Sequence, residues 1–338
     1  MINVGVLGAT GAVGQRFVQL LSDHPWFNLQ TLTASERSAG KRYGDAVNWR
    51  LDVPFPDSAA DVIVSPTTVE AVRDCDIVFS ALPADIAKGI EEEVAAVGVG
   101  VCSNASSHRM DPDVPLVIAE VNPDHLGMID LQHDHGRDGF IVTNPNCSTI
   151  MLTLALEPLR QFNFSKVFVA TMQAISGAGF EGVAGMAIYD NVIPYIKGEE
   201  EKMASEPRKI MGTFNGSEVE PATFLVSACC NRVPVIDGHT LSVWVDVDRP
   251  LDEVRKAYQE YRAPFSGLPT QPARSIEYLD QPDRPQVRLD RNRGNGMTVS
   301  VGRLREGLRF AAMGHNTIRG AAGASVLNAE LIYKEKYL

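Results

Sequence analysis

No stretch of this chain approaches the roughly 20 consecutive apolar residues that a membrane-spanning helix requires. The N-terminus enters a strand pattern at once, without the charged and apolar layout of a secretory signal. Cysteine is sparse: Cys75, Cys102, Cys147, Cys229 and Cys230 are odd in number and lack paired spacing, which excludes a disulfide framework and points to reduced thiols. These absences together describe a cytoplasmic protein. Metal-ligand spacing is missing too. His133-Asp134-His135 is the one local cluster of suitable groups, and its polar neighbours Gln132, Gly136, Arg137 and Asp138 read as a solvated loop, so no metal is expected. Lys and Arg are dispersed in a chain of net charge −11, which excludes the electrostatic footprint of a nucleic-acid binder. Repeats and low-complexity tracts are absent as well.

The 338 residues suggest two domains, and 44% hydrophobic with 22% charged residues is the composition of an ordinary enzyme with a sizeable core. Ile2 to Leu7 reads as a strand, Gly8 to Gly14 as a turn, and Arg16 to Leu21 as a helix whose Phe17, Val18, Leu20 and Leu21 can face a sheet. Phe27–Ala34, Val62–Ser65, Asp76–Leu82 and Val99–Cys102 supply further strands, separated by helical stretches such as Ala84–Val97. That alternation predicts an α/β fold with a Rossmann-type, doubly wound parallel sheet, ending near Pro145.

Beyond it Lys166–Gln173, His239–Val247, Met297–Leu304 and Arg309–Met313 predict a second, α+β domain on a mixed sheet. Leu241, Val243, Val245 and Val247 alternate with Ser242, Trp244, Asp246 and Asp248, so one face is buried and the other is free for a dimer. The expected division is a dinucleotide-binding domain over 1–145, completed by a C-terminal helix in 316–338, and a catalytic and dimerisation domain over 146–315. Cys229 and Cys230, following Val226 in an apolar stretch, read as core residues. Small residues from Gly320 to Ala324 permit close approach of a helix to the first domain or a cofactor.

The spacing Gly8-x-x-Gly11-x-x-Gly14 lies between strand and helix, where a pyrophosphate can rest on a helix N-terminus. Gly8, Thr10, Gly11, Ala12, Val13 and Gly14 are therefore candidate cofactor contacts. After the second strand, where an NAD enzyme usually places an acidic side chain, stand Ser35, Glu36, Arg37 and Ser38. Hydroxyls and a guanidinium suit a 2′-phosphate and favour NADP, with Glu36 as the competing, acidic reading. Ser80, in the fourth strand, joins this expected set.

Thr143-Asn144-Pro145-Asn146-Cys147-Ser148-Thr149-Ile150 places a lone thiol where a loop meets an apolar helical run containing Ile150, Leu152, Leu154, Leu156 and Leu159. In the first turn of that helix, unpaired N–H groups and the dipole would favour a thiolate, making Cys147 a candidate nucleophile. Asn146 could donate to an oxyanion.

Four further segments accompany it: Ser103-Asn104-Ala105-Ser106-Ser107-His108-Arg109, Gln173-Ala174-Ile175-Ser176-Gly177-Ala178-Gly179, Gly198-Glu199-Glu200-Glu201-Lys202 and Asn231-Arg232-Val233-Pro234-Val235-Ile236-Asp237-Gly238-His239. With the glycine turn, and with Asn316-Thr317-Ile318-Arg319-Gly320-Ala321-Ala322-Gly323, this ordered set closely resembles aspartate-semialdehyde dehydrogenase, most of all its archaeal and fungal branch. The resemblance spans nearly the whole chain.

It implies the reversible conversion of aspartate semialdehyde, phosphate and NADP⁺ into aspartyl phosphate and NADPH through a Cys147 thioester, in the biosynthesis of lysine, methionine and threonine. It further implies that His239 is the acid–base histidine, working near neutrality. Gln173 would orient the substrate beside the cysteine, and Arg232 would hold the substrate carboxylate. Glu199 would hold the ammonium, preferred to Glu200 and Glu201 because its three-residue offset from Lys202 puts both on one helical face. Lys202 and Arg109 would clamp phosphate, Ser176 and Gly177 would lie beside the nicotinamide, and Asn316 would bind its carboxamide. A homodimer or homotetramer is the expected assembly.

A malonyl-CoA reductase shares the cysteine and cofactor chemistry, but Glu199 and Lys202 count against it. An acetylglutamyl phosphate reductase would need no ammonium partner. A catalytically silent NADP-sensing protein would have no use for Cys147, His239 and Arg232 together.

Overall fold

The first strand, β1 (Ile2–Leu7), is followed by a turn in which Gly8 adopts φ +79°, and then by the helix Ala12–Leu21. Gly14 has no alternative there, since a Cβ would lie 2.1 Å from the Gly8 carbonyl oxygen. The computed structural model describes all 338 residues. Five more strands follow: β2 (Phe27–Ala34), β3 (Val64–Pro66), β4 (Ile77–Ser80), β5 (Gly100–Ser103) and β6 (Phe140–Thr143). They form an all-parallel sheet in the order β3-β2-β1-β4-β5-β6. The expected doubly wound sheet is present, with one strand more than its pattern announced. β6 is a four-residue, wholly buried run directly before the cysteine loop, too short to display a period of its own.

The second sheet is mixed, in the order β10-β7-β11-β14-β13-β12. It contains β7 (Lys166–Gln173), β10 (Leu225–Arg232), β11 (His239–Val245), β12 (Ile276–Leu279), β13 (Val299–Arg305) and β14 (Arg309–Gly314). A small separate pair, β8 (Thr213–Phe214) and β9 (Val219–Glu220), completes the strands. β10 and β12, absent from the expected set, occupy the two edges. The alternation along β11 holds: Leu241, Val243 and Val245 are buried while Trp244 faces outward. On β10 the same alternation overturns the reading of both cysteines as core residues, because Cys230 is buried and Cys229 is exposed on the open face.

Two large apolar cores lie beneath the two sheets, and the C-terminal helix Gly323–Lys334 reaches both. Its Val326, Leu327, Leu331 and Ile332 pack with the first core and its Ala324 with the second. The helix Cys147–Leu156 is buried along its whole length past its first residue. His133 and Asp134, expected in a loop, end the short helix Met128–Asp134 with their side chains in solvent. No helix is long and apolar enough to cross a membrane.

Candidate active site

Cys147 opens its helix, and its sulfur lies 3.2 Å from His239 Nε2 at the start of β11. The other ring nitrogen, Nδ1, accepts a hydrogen bond of 3.0 Å from the backbone N–H of Ala174. A backbone N–H can only donate, so the neutral ring carries its proton on Nε2 and aims it at the sulfur. The expectation that His239 titrates near neutrality is not met. Burial, with the charges of Arg232 and His315 behind it, draws its pKa down to about 3.

The thiol departs from expectation in the opposite sense. Burial and then the Glu199 carboxylate push the Cys147 pKa up to about 12, against the pull of Arg232, Arg109 and the Ser148 N–H. The helix N-terminus is where it was predicted, but its orphan donors have another partner. Asn146 Oδ1 accepts from Ser148 N at 2.9 Å and Thr149 N at 3.2 Å, a side-chain cap that satisfies the groups assigned to the sulfur. The amide nitrogen of Asn146 donates to both carboxylate oxygens of Glu199, at 2.9 and 3.0 Å. Asn146 is thus a clamped cap, and only an amide hydrogen outside that bond is left for an oxyanion.

Arg232, at the end of β10, is 7% exposed, and its Nη1 donates to the Ala174 carbonyl at 2.6 Å. Ala174 therefore holds both His239 and Arg232 through one peptide unit on each side. Gly177 closes over the pair: a Cβ there would lie 2.8 Å from Arg232 Nη1 and 3.4 Å from His239 Cε1. Gln173 ends β7 in register with Arg232 and is 1% exposed, its amide donating to Thr171 Oγ1 at 3.2 Å.

The helix Glu199–Ile210 lies along the helix Cys147–Leu156. Glu199 is buried, whereas Glu200 and Glu201 are exposed; Glu200 accepts from the Cys230 backbone N–H. Lys202 Nζ is 3.9 Å from Glu199, one turn along the same face. Arg109 approaches from the first domain, bonded to Glu206 at 2.9 Å and to the Asn104 carbonyl at 2.8 Å, and its buried Nε has no partner. Glu206 and Lys209 were not singled out in the sequence. Their only trace was the helical spacing of charges at 199, 202, 206 and 209, which equally describes a solvated face.

Asn316, expected at the nicotinamide carboxamide, also bonds within the protein and keeps one amide hydrogen unused. Its Oδ1 accepts from Gly238 N at 2.7 Å and its Nδ2 donates to Ser176 Oγ at 2.8 Å, so its amide ties the turn before His239 to the Ser176 loop. Behind it, Ile318–Ala322 forms a π-helix that brings Gly320 against Cys147, where a Cβ would lie 2.7 Å from that of the cysteine. Gly320 thus makes its close approach to the cysteine, while Ala322 packs into the core of the first domain as expected. Arg319 pins this turn through two bonds to Glu120, 2.8 and 2.6 Å, both side chains being fully buried.

Gly11 caps the helix Ala12–Leu21 with no side-chain bond, which leaves the first-turn N–H groups of Ala12, Val13 and Gly14 for an anion. The Thr10 carbonyl receives the Gln15 amide. Ser35 and Arg37 are exposed and Ser38 half-buried beyond β2, and Arg37 makes no ion pair there. Ser80, expected at the cofactor, is fully buried at the end of β4, its hydroxyl shielded from solvent. Between the glycine turn and Ser176 runs a crevice of about 530 Å³ whose walls include Ala12, Arg16, Arg50, Ser176 and Thr317. Its size suits a bound small molecule.

A doubly wound domain followed by a mixed-sheet domain, with a cysteine and a histidine at their junction, is the architecture of a semialdehyde dehydrogenase. Residues 3–129 match the family described as semialdehyde dehydrogenase, NAD binding domain, and residues 156–319 match its dimerisation domain. An aspartate-semialdehyde dehydrogenase of the archaeon Archaeoglobus fulgidus is 56% identical over 99% of both chains. The crystal structure of the Candida albicans aspartate-semialdehyde dehydrogenase with NADP superposes at a TM-score of 0.91, with 43% identity over the full length of both chains. That of aspartate-semialdehyde dehydrogenase II from Vibrio cholerae, complexed with ASA, does so at 0.79, with 27% identity over 99% of both. The chain belongs to the aspartate-semialdehyde dehydrogenase family.

Proposed function

We propose that this enzyme catalyses the NADP-dependent, reversible reductive dephosphorylation of aspartyl phosphate to aspartate semialdehyde through a thioester on Cys147, in the biosynthesis of lysine, methionine and threonine. The observation that carries the reading is the 3.2 Å approach of the Cys147 sulfur to His239, with Arg232, Glu199 and Arg109 converging around it. The uncapped helix after the glycine turn and the free Arg37 beyond β2 support NADP, the cofactor that accompanies the Candida albicans enzyme in its crystal structure.

In the oxidative direction Cys147 adds to the aldehyde carbon and forms a hemithioacetal. Bound NADP supplies the hydride acceptor. The thiol proton passes to the aldehyde oxygen as sulfur bonds to carbon, and when hydride leaves that carbon the hydroxyl proton is released to solvent as the thioester C=O forms. His239 Nε2–H, neutral because its surroundings disfavour the imidazolium, donates to that oxygen and polarises it. Arg232 presents its remaining donors to the substrate carboxylate, and Glu199 receives the ammonium. Phosphate then cleaves the thioester, with Lys202 and the guanidinium hydrogens of Arg109 left over from its bonds to Glu206 and Asn104 as its donors. A second copy of the chain covers the open face of the second sheet in the proposed homodimer or homotetramer.

The test is formation of NADPH, followed by absorbance, from aspartate semialdehyde with phosphate present or omitted. Turnover that needs both is expected; no turnover with aspartate semialdehyde, together with consumption of NADPH on addition of a malonyl thioester, would transfer the enzyme to another substrate.

A further inference from the structure

Glu206 takes no part in that reaction, yet it is 2% exposed and uses both carboxylate oxygens on functional elements. Oε1 accepts from Arg109 Nη1 at 2.9 Å, and Oε2 accepts from the backbone N–H of Asn146, the residue before the nucleophile, at 2.8 Å. The two donors come from separate parts of the molecule: Arg109 from the loop after β5, and Asn146 from the turn that opens the cysteine helix. One turn further along the same helix, Lys209 Nζ donates to the carbonyls of Arg109, Asp111 and Val114 at 2.9, 2.8 and 2.8 Å. Lys209 therefore fixes the backbone from which Arg109 springs, and Glu206 fixes its guanidinium.

We propose that Glu206 is a positioning residue that sets the guanidinium of Arg109 in register with the Cys147 thioester, so that phosphate held by Arg109 meets the carbonyl carbon. This rests on the function proposed above. A carboxylate is suited to the task because it is acceptor-only when ionised and so can serve two donors at once. A glutamine keeps one acceptor but turns an N–H₂ group towards either Arg109 or Asn146, where donor would face donor. Attack on a thioester is sensitive to placement at the ångström level, so the loss appears in the phosphate step.

The experiment compares wild type, Glu206→Gln and Arg109→Ala for KM of phosphate, KM of aspartate semialdehyde, NADP affinity and the rise in melting temperature caused by inorganic phosphate. For Glu206→Gln the expected result is a phosphate KM raised roughly ten-fold or more. The semialdehyde KM and NADP affinity should stay near wild type, and the phosphate-induced melting shift should be lost. Glu206→Asp, which retains the charge at shorter reach, should recover part of the phosphate affinity and replaces the glutamine variant if that one does not fold. A phosphate KM within two-fold of wild type in Glu206→Gln, while Arg109→Ala raises it, overturns the role of Glu206 and leaves the enzyme's function standing. So does a parallel decline of all four readouts, which would mark a merely structural residue. Absence of any phosphate dependence in wild type would remove the proposed function along with it.

Discussion

Glu199 acts on Cys147 from close range, and its charge opposes ionisation of a thiol that burial already disfavours. In the proposed complex a substrate ammonium neutralises that carboxylate, so the ligand relieves one of the two causes that keep the sulfur protonated. The free enzyme should accordingly hold a protonated, slow thiol at neutral pH. Because the Cys147 pKa is raised and that of His239 lowered, alkylation by iodoacetamide should climb through pH 7 to 9 by roughly ten-fold per unit, as thiolate accumulates below its pKa, with no step near the ordinary histidine range. Glu199→Gln removes the opposing charge and should speed alkylation several-fold at fixed pH while lowering turnover. An unchanged alkylation rate in that variant, or a plateau beginning below pH 7 in wild type, would mean that Cys147 and His239 form an ion pair and that Glu199 does not govern it.

Among the elements, the π-helix Ile318–Ala322 packs directly against Cys147. Its Gly320 has no room for a side chain because the atoms in the way, Cβ and Cα of Cys147, belong to the end of a buried helix that cannot swing aside. Gly320→Ala should therefore displace either Cys147 or the turn. The expected destabilisation is about 1–3 kcal/mol in denaturant titrations, with activity lost more than stability warrants. A variant with wild-type turnover would show that the turn yields without moving the sulfur. Small residues from Gly320 onward announced a close approach in the sequence, but the partner was beyond reach, since a periodic pattern says which side of a helix is crowded and not by what.

The same limit separates what was legible at the site from what was not. Cys147, His239 and Arg232 stood out because each sits in a distinctive local frame, and the structure brings Cys147 within 3.2 Å of His239. The tautomer of His239 depends on the N–H of Ala174, 65 positions away, and the cap on the cysteine helix redirects donors that the sequence assigned to the sulfur. Both are facts of tertiary geometry. Edge strands were missed for a related reason: β10 alternates, but its outward residues Leu225 and Cys229 are apolar enough to read as core.

For the molecule as a whole, the open face of the second sheet remains. Phe168 on β7 and Trp244 on β11 are direct cross-strand neighbours, 52% and 39% exposed, and Leu225 on β10 is 62% exposed. Further along the same two strands Ala170 pairs with Ser242 and Met172 with Thr240, which continue the face with small or unbranched groups. Exposed apolar side chains set among small polar ones on a rigid sheet are suited to a self-complementary contact, in which the same patch serves both copies about a two-fold axis. A stable contact of this kind buries on the order of 1,200–2,000 Å² in total, so Phe168 and Trp244 would lie well inside it. Replacing both by glutamate places four like charges in the buried centre of a dimer, two from each copy, without touching the inward face of either strand. The double variant Phe168→Glu, Trp244→Glu should elute with the mass of one chain in size-exclusion chromatography with light scattering, where wild type elutes as a multiple, and should keep the circular dichroism of the wild-type fold. Retention of the wild-type mass would place the interface elsewhere. A single-chain mass for wild type itself would leave this face without a partner and remove the homo-oligomer from the proposed function.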